Sequence, residues 1–137
     1  MSQKVNVDME CGYGPQPIWV TKVGENLYRI EDPNLLWAYE DAMYHDVVEA
    51  WPQIDDTLLF QRVVEKSSWR CIFPTLGPVF WQSEAFELYL RHIEAVGGLW
   101  HIDMEGVIFI YMPPEVDFDP HHEAHKIWNR LYPNSPL

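Results

Sequence analysis

The hydrophobic pattern of the chain changes its period at Pro74. Before Pro74, short runs of branched and aromatic residues alternate with turn residues, which is typical of strands. After Pro74, apolar residues recur every three or four positions, which is typical of helices. The first part contains five predicted strands, over residues 18–23, 27–31, 46–51, 57–65 and 69–73. Five short strands with tight connections predict a small SH3-like barrel over residues 17–74, because closure would remove exposed strand edges.

The segments on either side of this barrel have different patterns. Residues 1–16 begin with polar residues after Met1 and end in a turn-rich stretch, so we expect a flexible lead-in. Residues 75–137 predict a helix–β-hairpin–helix lobe. Its first helix begins after Ser83 and ends at Gly97, and its last helix is capped by Asp119 with Pro120 in the first position. The predicted class is therefore α+β, with barrel and lobe packed as one compact unit.

The charge balance is strongly acidic. The 137 residues carry 21 Asp and Glu against 9 Lys and Arg, a net charge of -12. No Lys or Arg occurs between Arg29 and Arg62, or between Arg91 and Lys126. Such a chain repels nucleic acid and anionic membranes and attracts basic partners. Its hydrophobic content of 47% and aromatic content of 15% exclude a disordered acidic tail.

Several functional classes lack their sequence signals. The apolar runs are far shorter than the ~20 residues that span a bilayer. The first residues have no apolar signal core, so we expect a cytoplasmic protein. Cys11 and Cys71 are too few for a disulfide framework and are expected to be free thiols. Neither the Walker nor the dinucleotide glycine pattern occurs, and we expect no cofactor.

A histidine pair on the last predicted helix is the candidate metal site. His121 and His125 are four residues apart, a spacing that can direct two imidazoles toward one metal ion. A third ligand is not evident; it would have to be Asp117, His101 or His92. The alternative is that both histidines border the apolar face of the helix and bind no metal.

Aromatic and acidic residues interleave between positions 37 and 51. Aromatic side chains supply much of the binding energy at protein interfaces, and acidic neighbours favour a basic partner. Alternatively, Trp37 and Trp51 belong to the core and the acids keep the domain in solution. The predicted partner-binding residues are Tyr39, Glu40, Asp41, Tyr44, Asp46, Glu49, Asp55 and Asp56.

Three blocks of the sequence resemble a family of uncharacterised, small, single-domain bacterial proteins. They are Ile18–Glu31, Asp46–Ala50 and Phe60–Ser67, which follow the patterns W-V-x-K-V-G-x-x-L-Y-R, D-V-V-E-A and F-x-R-V-V. The chain has His45 and Ser68 where the family usually has glycine. The resemblance implies an architecture but no catalytic residues, and some small acidic proteins of that kind are immunity proteins of secreted toxins.

These observations favour an interaction protein over an enzyme. The leading hypothesis is an acidic protein-binding module, an immunity or antitoxin protein that neutralises a basic, nuclease-type toxin. One alternative is a small metal-dependent hydrolase that uses His121 and His125. The other is a homodimeric regulatory subunit; the sequence leaves open whether the protein is a monomer or a homodimer.

Overall fold

A computed structural model describes residues 1–9, 14–33, 42–102 and 107–137. The chain divides into two compact units, Met1–Trp69 and Arg70–Leu137, and each has a hydrophobic core of its own. The described residues contain both strands and helices, which confirms the mixed α+β class. The predicted boundary at residues 74 and 75 lies five residues later than the division between Trp69 and Arg70.

The first unit is a five-stranded β-sheet that closes on itself. Its strands are β1 (Ser2–Asp8), β2 (Pro15–Gly24), β3 (Leu27–Ile30), β4 (Val47–Pro52) and β5 (Leu58–Glu65). Consecutive strands pair antiparallel. The ring closes through a parallel pairing of β1 with β5, where Val7 faces Leu58 and Asp8 faces Leu59.

Alternate residues of the strands fill the interior of this barrel. On β4, Val48 and Ala50 point inward while Glu49 and Trp51 lie on the outside, as the two-residue period of a strand requires. The apolar interior leaves about 10 Å³ of space, room for roughly one water molecule. The barrel is therefore a packed core and not a ligand cavity.

The expectation of a flexible lead-in over residues 1–16 is wrong for its first half. Residues 2–8 form β1, which pairs with β2 over seven residue pairs from Ser2 and Thr21 to Asp8 and Pro15. Val7 and Met9 are buried in the barrel core, and Val5 packs against it. The alternation of these apolar residues with polar ones is a strand pattern that the sequence analysis passed over.

The second unit combines a three-stranded sheet with three helices. Its elements are β6 (Arg70–Ile72), α1 (Pro78–Trp81), α2 (Glu84–Ala95), β7 (Leu99–Ile102), β8 (Ile108–Met112) and α3 (Pro120–Leu131). The strand order is β6-β8-β7, and both pairings are antiparallel. The predicted helix–hairpin–helix order is observed; the turn between β7 and β8 lies outside the described residues.

The two predicted helix caps differ in the structure. Asp119 accepts hydrogen bonds from the backbone N–H groups of His121 and His122, so it caps α3 as expected. Ser83 occupies the N-cap position of α2, but its hydroxyl donates to the carbonyl of Phe80 and does not cap the helix. Gly97 ends α2 with a φ of 90°, a left-handed conformation that suits glycine.

The fifth predicted strand belongs to a different sheet. Residues 69–73 were expected to complete the barrel, whereas β6 pairs with β8 in the second unit. The place in the barrel is taken by β1, which supplies the pairing partner of β5. The SH3-like description does not follow from this topology and stays a prediction.

No helix within the described residues has the length and apolar character needed to cross a membrane.

Candidate protein-binding surface

The predicted partner-binding residues do not form one surface. Tyr39, Glu40 and Asp41 lie outside the described residues, as does Trp37. The five others divide into two groups. Tyr44 and Asp46 precede β4, and Glu49, Asp55 and Asp56 belong to the hairpin of β4 and β5.

Asp46 is a buried structural residue. Its side chain accepts hydrogen bonds from the backbone N–H of Met43 (2.9 Å) and the backbone N–H of Ser67 (2.7 Å), and from Nζ of Lys66 (2.8 Å). It has no exposed surface. The carboxylate joins the loop before β4 to the segment after β5, so Asp46 is not available to a partner and the expectation that it contacts one is corrected.

Tyr44 is part of a ring cluster on the barrel. Its ring stacks on His45 at 4.2 Å between centroids and meets the edge of Trp69 at 5.0 Å. Partial burial raises the pKa of the Tyr44 hydroxyl, so it is neutral at physiological pH. His45 contacts Glu31 at 3.4 Å and has a φ of 69°, a conformation that glycine adopts more easily.

Glu49 holds an exposed aromatic residue in place. Its two carboxylate oxygens accept hydrogen bonds from Nε1 of Trp51 (2.9 Å) and Nε of Arg62 (2.8 Å). The Trp51 N–H, with the Arg62 guanidinium, holds the pKa of Glu49 below its usual range. Both oxygens are engaged within the protein, so Glu49 positions Trp51 instead of offering a free charge.

The turn of this hairpin has a defined shape. The backbone N–H of Gln53 donates to the carbonyl of Thr57 (2.7 Å), and that of Asp56 donates to the carbonyl of Gln53 (3.3 Å). Oδ1 of Asp55 accepts from the backbone N–H of Thr57 (3.1 Å), which forms an Asx-type turn. Asp56 has a φ of 65°, which Asp tolerates better than most residues.

This turn carries apolar and acidic side chains side by side on the outside of the protein. Ile54 is fully exposed, and Trp51 keeps 48% of its surface exposed. Asp55 and Asp56 are also exposed. A shallow pocket of about 380 Å³ is lined by Ile54 and Asp55 of this turn and by Asp8 of β1. We call Asp8, Trp51, Ile54, Asp55 and Asp56 the hairpin-tip surface.

Only part of the hairpin-tip surface follows from the sequence. Asp55 and Asp56 are among the predicted partner-binding residues, Trp51 is predicted to lie either in the core or at an interface, and Ile54 and Asp8 are not among the predicted residues. A branched apolar residue between a strand-ending Pro52 and two aspartates is a signal of an exposed turn residue. Asp8 had no such signal, because its position depends on the closure of β1 against β5.

The histidine pair borders a different pocket, in the second unit. His121 and His125 are exposed on α3 and line a groove of about 340 Å³, with Leu76, Val79 and Ala124 among its other walls. Among the described residues, no group of three or more His, Cys, Asp and Glu side chains could hold a metal ion. Of the third ligands considered, His92 instead contacts Glu123 at 3.2 Å.

Cys71 has the environment of an unreactive thiol. It is a half-buried free cysteine on β6, and burial raises its pKa to about 11. The thiolate is the nucleophilic form, so Cys71 is poorly suited to covalent catalysis at neutral pH.

Taken together, these features define an α+β protein with two cores and an exposed acidic–apolar hairpin tip. No family model and no curated protein matches the chain. One solved structure is similar, described as a novel crystal structure of a hypothetical protein from Neisseria gonorrhoeae. It is 15% identical, with a TM-score of 0.54 over 96% of this chain and 89% of that chain. At this identity the likeness shows the fold alone, and the resemblance to a bacterial family stays a prediction.

Proposed function

We propose that the protein is an acidic protein-binding module that presents its hairpin-tip surface to a basic region of a partner protein. The observation that supports this most directly is the joint exposure of Trp51 and Ile54 beside Asp55 and Asp56. Ile54 is fully exposed on a turn whose shape is fixed by hydrogen bonds, and an apolar side chain beside carboxylates in such a place can anchor a partner protein.

The apolar residues supply the affinity of the proposed contact. Full burial of a side chain such as that of Ile54 is worth roughly 1.5–3 kcal/mol. Trp51 is one of the residue types that most often dominate interface energies. Its indole is already fixed by Glu49, and the turn is fixed by its own hydrogen bonds, so little ordering entropy is lost on binding.

The acidic residues make the proposed contact specific for a basic partner. Asp55 and Asp56 directly follow Ile54 along the chain, and no Lys or Arg is among the described residues that line the adjoining pocket. Complementary charge at the rim of an interface mainly raises the association rate and excludes partners of the same sign. A partner with Lys or Arg around a small apolar recess fits these requirements.

The specific form of this proposal is an immunity or antitoxin protein whose partner is a basic, nuclease-type toxin. Such a toxin binds phosphates through Lys and Arg, and carboxylates such as those of Asp55 and Asp56 can occupy the same positions. The net charge of -12 is the support for this form.

Site-directed photocrosslinking tests the module. A benzoylphenylalanine at position 54 is expected to capture a basic protein in the cells that encode this chain. Position 23 is the matched control, because Val23 is 45% exposed and lies at the opposite end of β2 from Pro15, which borders the tip pocket. The double substitution D55K/D56K should reduce capture at position 54 at least tenfold.

Two results would count against the module: equal capture at positions 54 and 23, or capture that D55K/D56K leaves unchanged. The immunity form has a separate test. The captured partner, purified, should cleave RNA or DNA and should lose that activity when one equivalent of this protein is added. A captured partner without nuclease activity would reject the immunity form and leave the module intact.

A further inference from the structure

Three of the four Lys and Arg residues of the second unit line one groove between its helices. Residues 70–137 carry nine Asp and Glu but only four Lys and Arg. Arg91 on α2 and Lys126 and Arg130 on α3 border a groove of about 310 Å³, and Leu88, Ala95 and Ile127 form its apolar walls. A basic groove in a protein of net charge -12 is opposite in sign to the rest of the chain.

The cations of this groove are available to a ligand. Arg91, Lys126 and Arg130 are exposed, and none of them forms an ion pair with a carboxylate in the part of the chain that the structure describes. The one carboxylate in the groove, Glu123, contacts His92 at 3.2 Å. The lining therefore holds three cations against one carboxylate that already has a partner.

The spacing of the cations favours an extended ligand. Tyr89 donates to the carbonyl of Pro120 and His92 contacts Glu123, so contacts advance in the same direction along α2 and α3. In this register the three cations follow one another at intervals of about one helical turn, over roughly 12 Å. A single phosphate is too small to contact cations distributed over that length.

The apolar walls of the groove restrict the chemical class of the ligand further. Between the cations lie Leu88, Ala95 and the largely buried Ile127. A ligand with several separated carboxylates and an apolar side chain between them matches both the spacing of the cations and the apolar walls, and an acidic peptide containing leucine has this chemistry.

We propose that the groove formed by Arg91, Lys126, Arg130 and the apolar residues between them binds an acidic, leucine-containing peptide segment of a partner protein. This groove is in the second unit and basic, whereas the hairpin-tip surface is in the first unit and acidic. It does not depend on the function proposed for the tip.

The test is an NMR titration of the ¹⁵N-labelled protein with a capped peptide of sequence Glu-Leu-Glu-Glu-Leu-Glu. Saturable shifts are expected in the amides of residues 88–95 and 123–130. The variant K126E/R130E should bind at least tenfold more weakly. K4E/K22E makes the same change in net charge on the barrel and should bind like the unchanged protein.

Several results would overturn the proposal. These are no saturable shifts, equal weakening in K4E/K22E, or equal binding of a peptide with Gln in place of every Glu. Inorganic phosphate that gives the same shifts with comparable affinity would assign the groove to a compact anion. Self-association of the free protein that is lost in K126E/R130E would assign the groove to a second copy of the protein.

The variant K126Q/R130Q is the control for folding, because it removes charge without reversing it. It should retain the circular dichroism spectrum of the unchanged protein and still bind the peptide more weakly; unweakened binding would also overturn the proposal.

Discussion

Asp46 and Asp56 have the same side chain in opposite surroundings. Asp46 is fully buried and accepts three hydrogen bonds, whereas Asp56 is exposed at the hairpin turn. We expect D46N to lower the free energy of unfolding by about 2 kcal/mol, because the amide directs an N–H group at donors that need an acceptor. Urea denaturation measures this. The matched change D56N should alter stability by less than about 0.5 kcal/mol; similar losses in both variants would contradict the structural role of Asp46.

The backbone of His45 adopts a left-handed conformation that few residue types favour. It has a φ of 69°, and its N–H donates to the carbonyl of Ile30 (2.8 Å). H45A and H45G both remove the imidazole, so their difference isolates the backbone. We expect H45A to be about 1 kcal/mol less stable than H45G in urea denaturation, because a Cβ is disfavoured in the left-handed region. Equal stabilities would show that this conformation is not maintained.

The contrast between these residues shows what the sequence could not provide at this scale. Asp46 and Asp56 both occur in acidic, turn-like segments. The buried carboxylate of Asp46 accepts a hydrogen bond from the backbone N–H of Ser67, which lies 21 positions away along the chain. Its proximity depends on the pairing of β4 with β5, and side-chain type alone carries no information about it.

At the scale of elements, local signals predicted more than pairing partners. The boundaries of α2 and α3 were predictable because a 3.6-residue period and its end signals, Gly97 after α2 and Asp119 before α3, are encoded within each segment. The strands β2 to β5 were predictable for a similar reason. The sheet to which a strand belongs was not, since the pairing of β1 with β5 and that of β6 with β8 join segments that are distant in sequence. Of the hairpin-tip surface only Asp55 and Asp56 were predicted, because exposure of Trp51 depends on which face of β4 is inside and the position of Asp8 depends on the pairing of β1 with β5.

The N-cap of α3 gives this helix a pH-dependent stability. The backbone N–H of His122, and then that of His121, hold the pKa of Asp119 below its ordinary value. A lowered folded-state pKa means that the cap stabilises the helix above the unfolded pKa and that this contribution is lost as pH falls through the folded pKa. D119A should therefore lower Tm at pH 7, and the difference from the unchanged protein should shrink near pH 2.5.

D119N is the control for that cap. Asn accepts the same backbone hydrogen bonds without a titrating charge, so it should retain most of the Tm at pH 7. If the Tm difference between D119A and the unchanged protein were equally large at pH 7 and near pH 2.5, the stabilisation would not come from the charge of the Asp119 carboxylate. Circular dichroism at 222 nm follows both variants.

At the scale of the whole molecule, the negative charge is distributed over both units. The first unit has twelve Asp and Glu against five Lys and Arg, and the second has nine against four. The hairpin tip therefore holds a small share of the excess. Its distinction lies in the apolar residues beside the carboxylates, and the basic groove is the feature that departs most from the overall charge.

A charge excess spread in this way should make stability rise with salt. Like charges repel in the folded state, and the Debye length falls from ~30 Å at 0.01 M to ~8 Å at 0.15 M ionic strength. Salt also weakens exposed pairs such as Arg62 with Glu49, but such pairs are worth at most about 1 kcal/mol. We expect Tm to increase by about 4 °C between 0.01 M and 0.2 M NaCl, measured by differential scanning calorimetry.

The triple variant E25Q/D55N/D56N, with a net charge of -9 instead of -12, should show a smaller increase in Tm with NaCl. Sucrose of matched osmolality is the control for effects that do not depend on charge, and a Tm that falls with NaCl would show that local ion pairs outweigh the general repulsion.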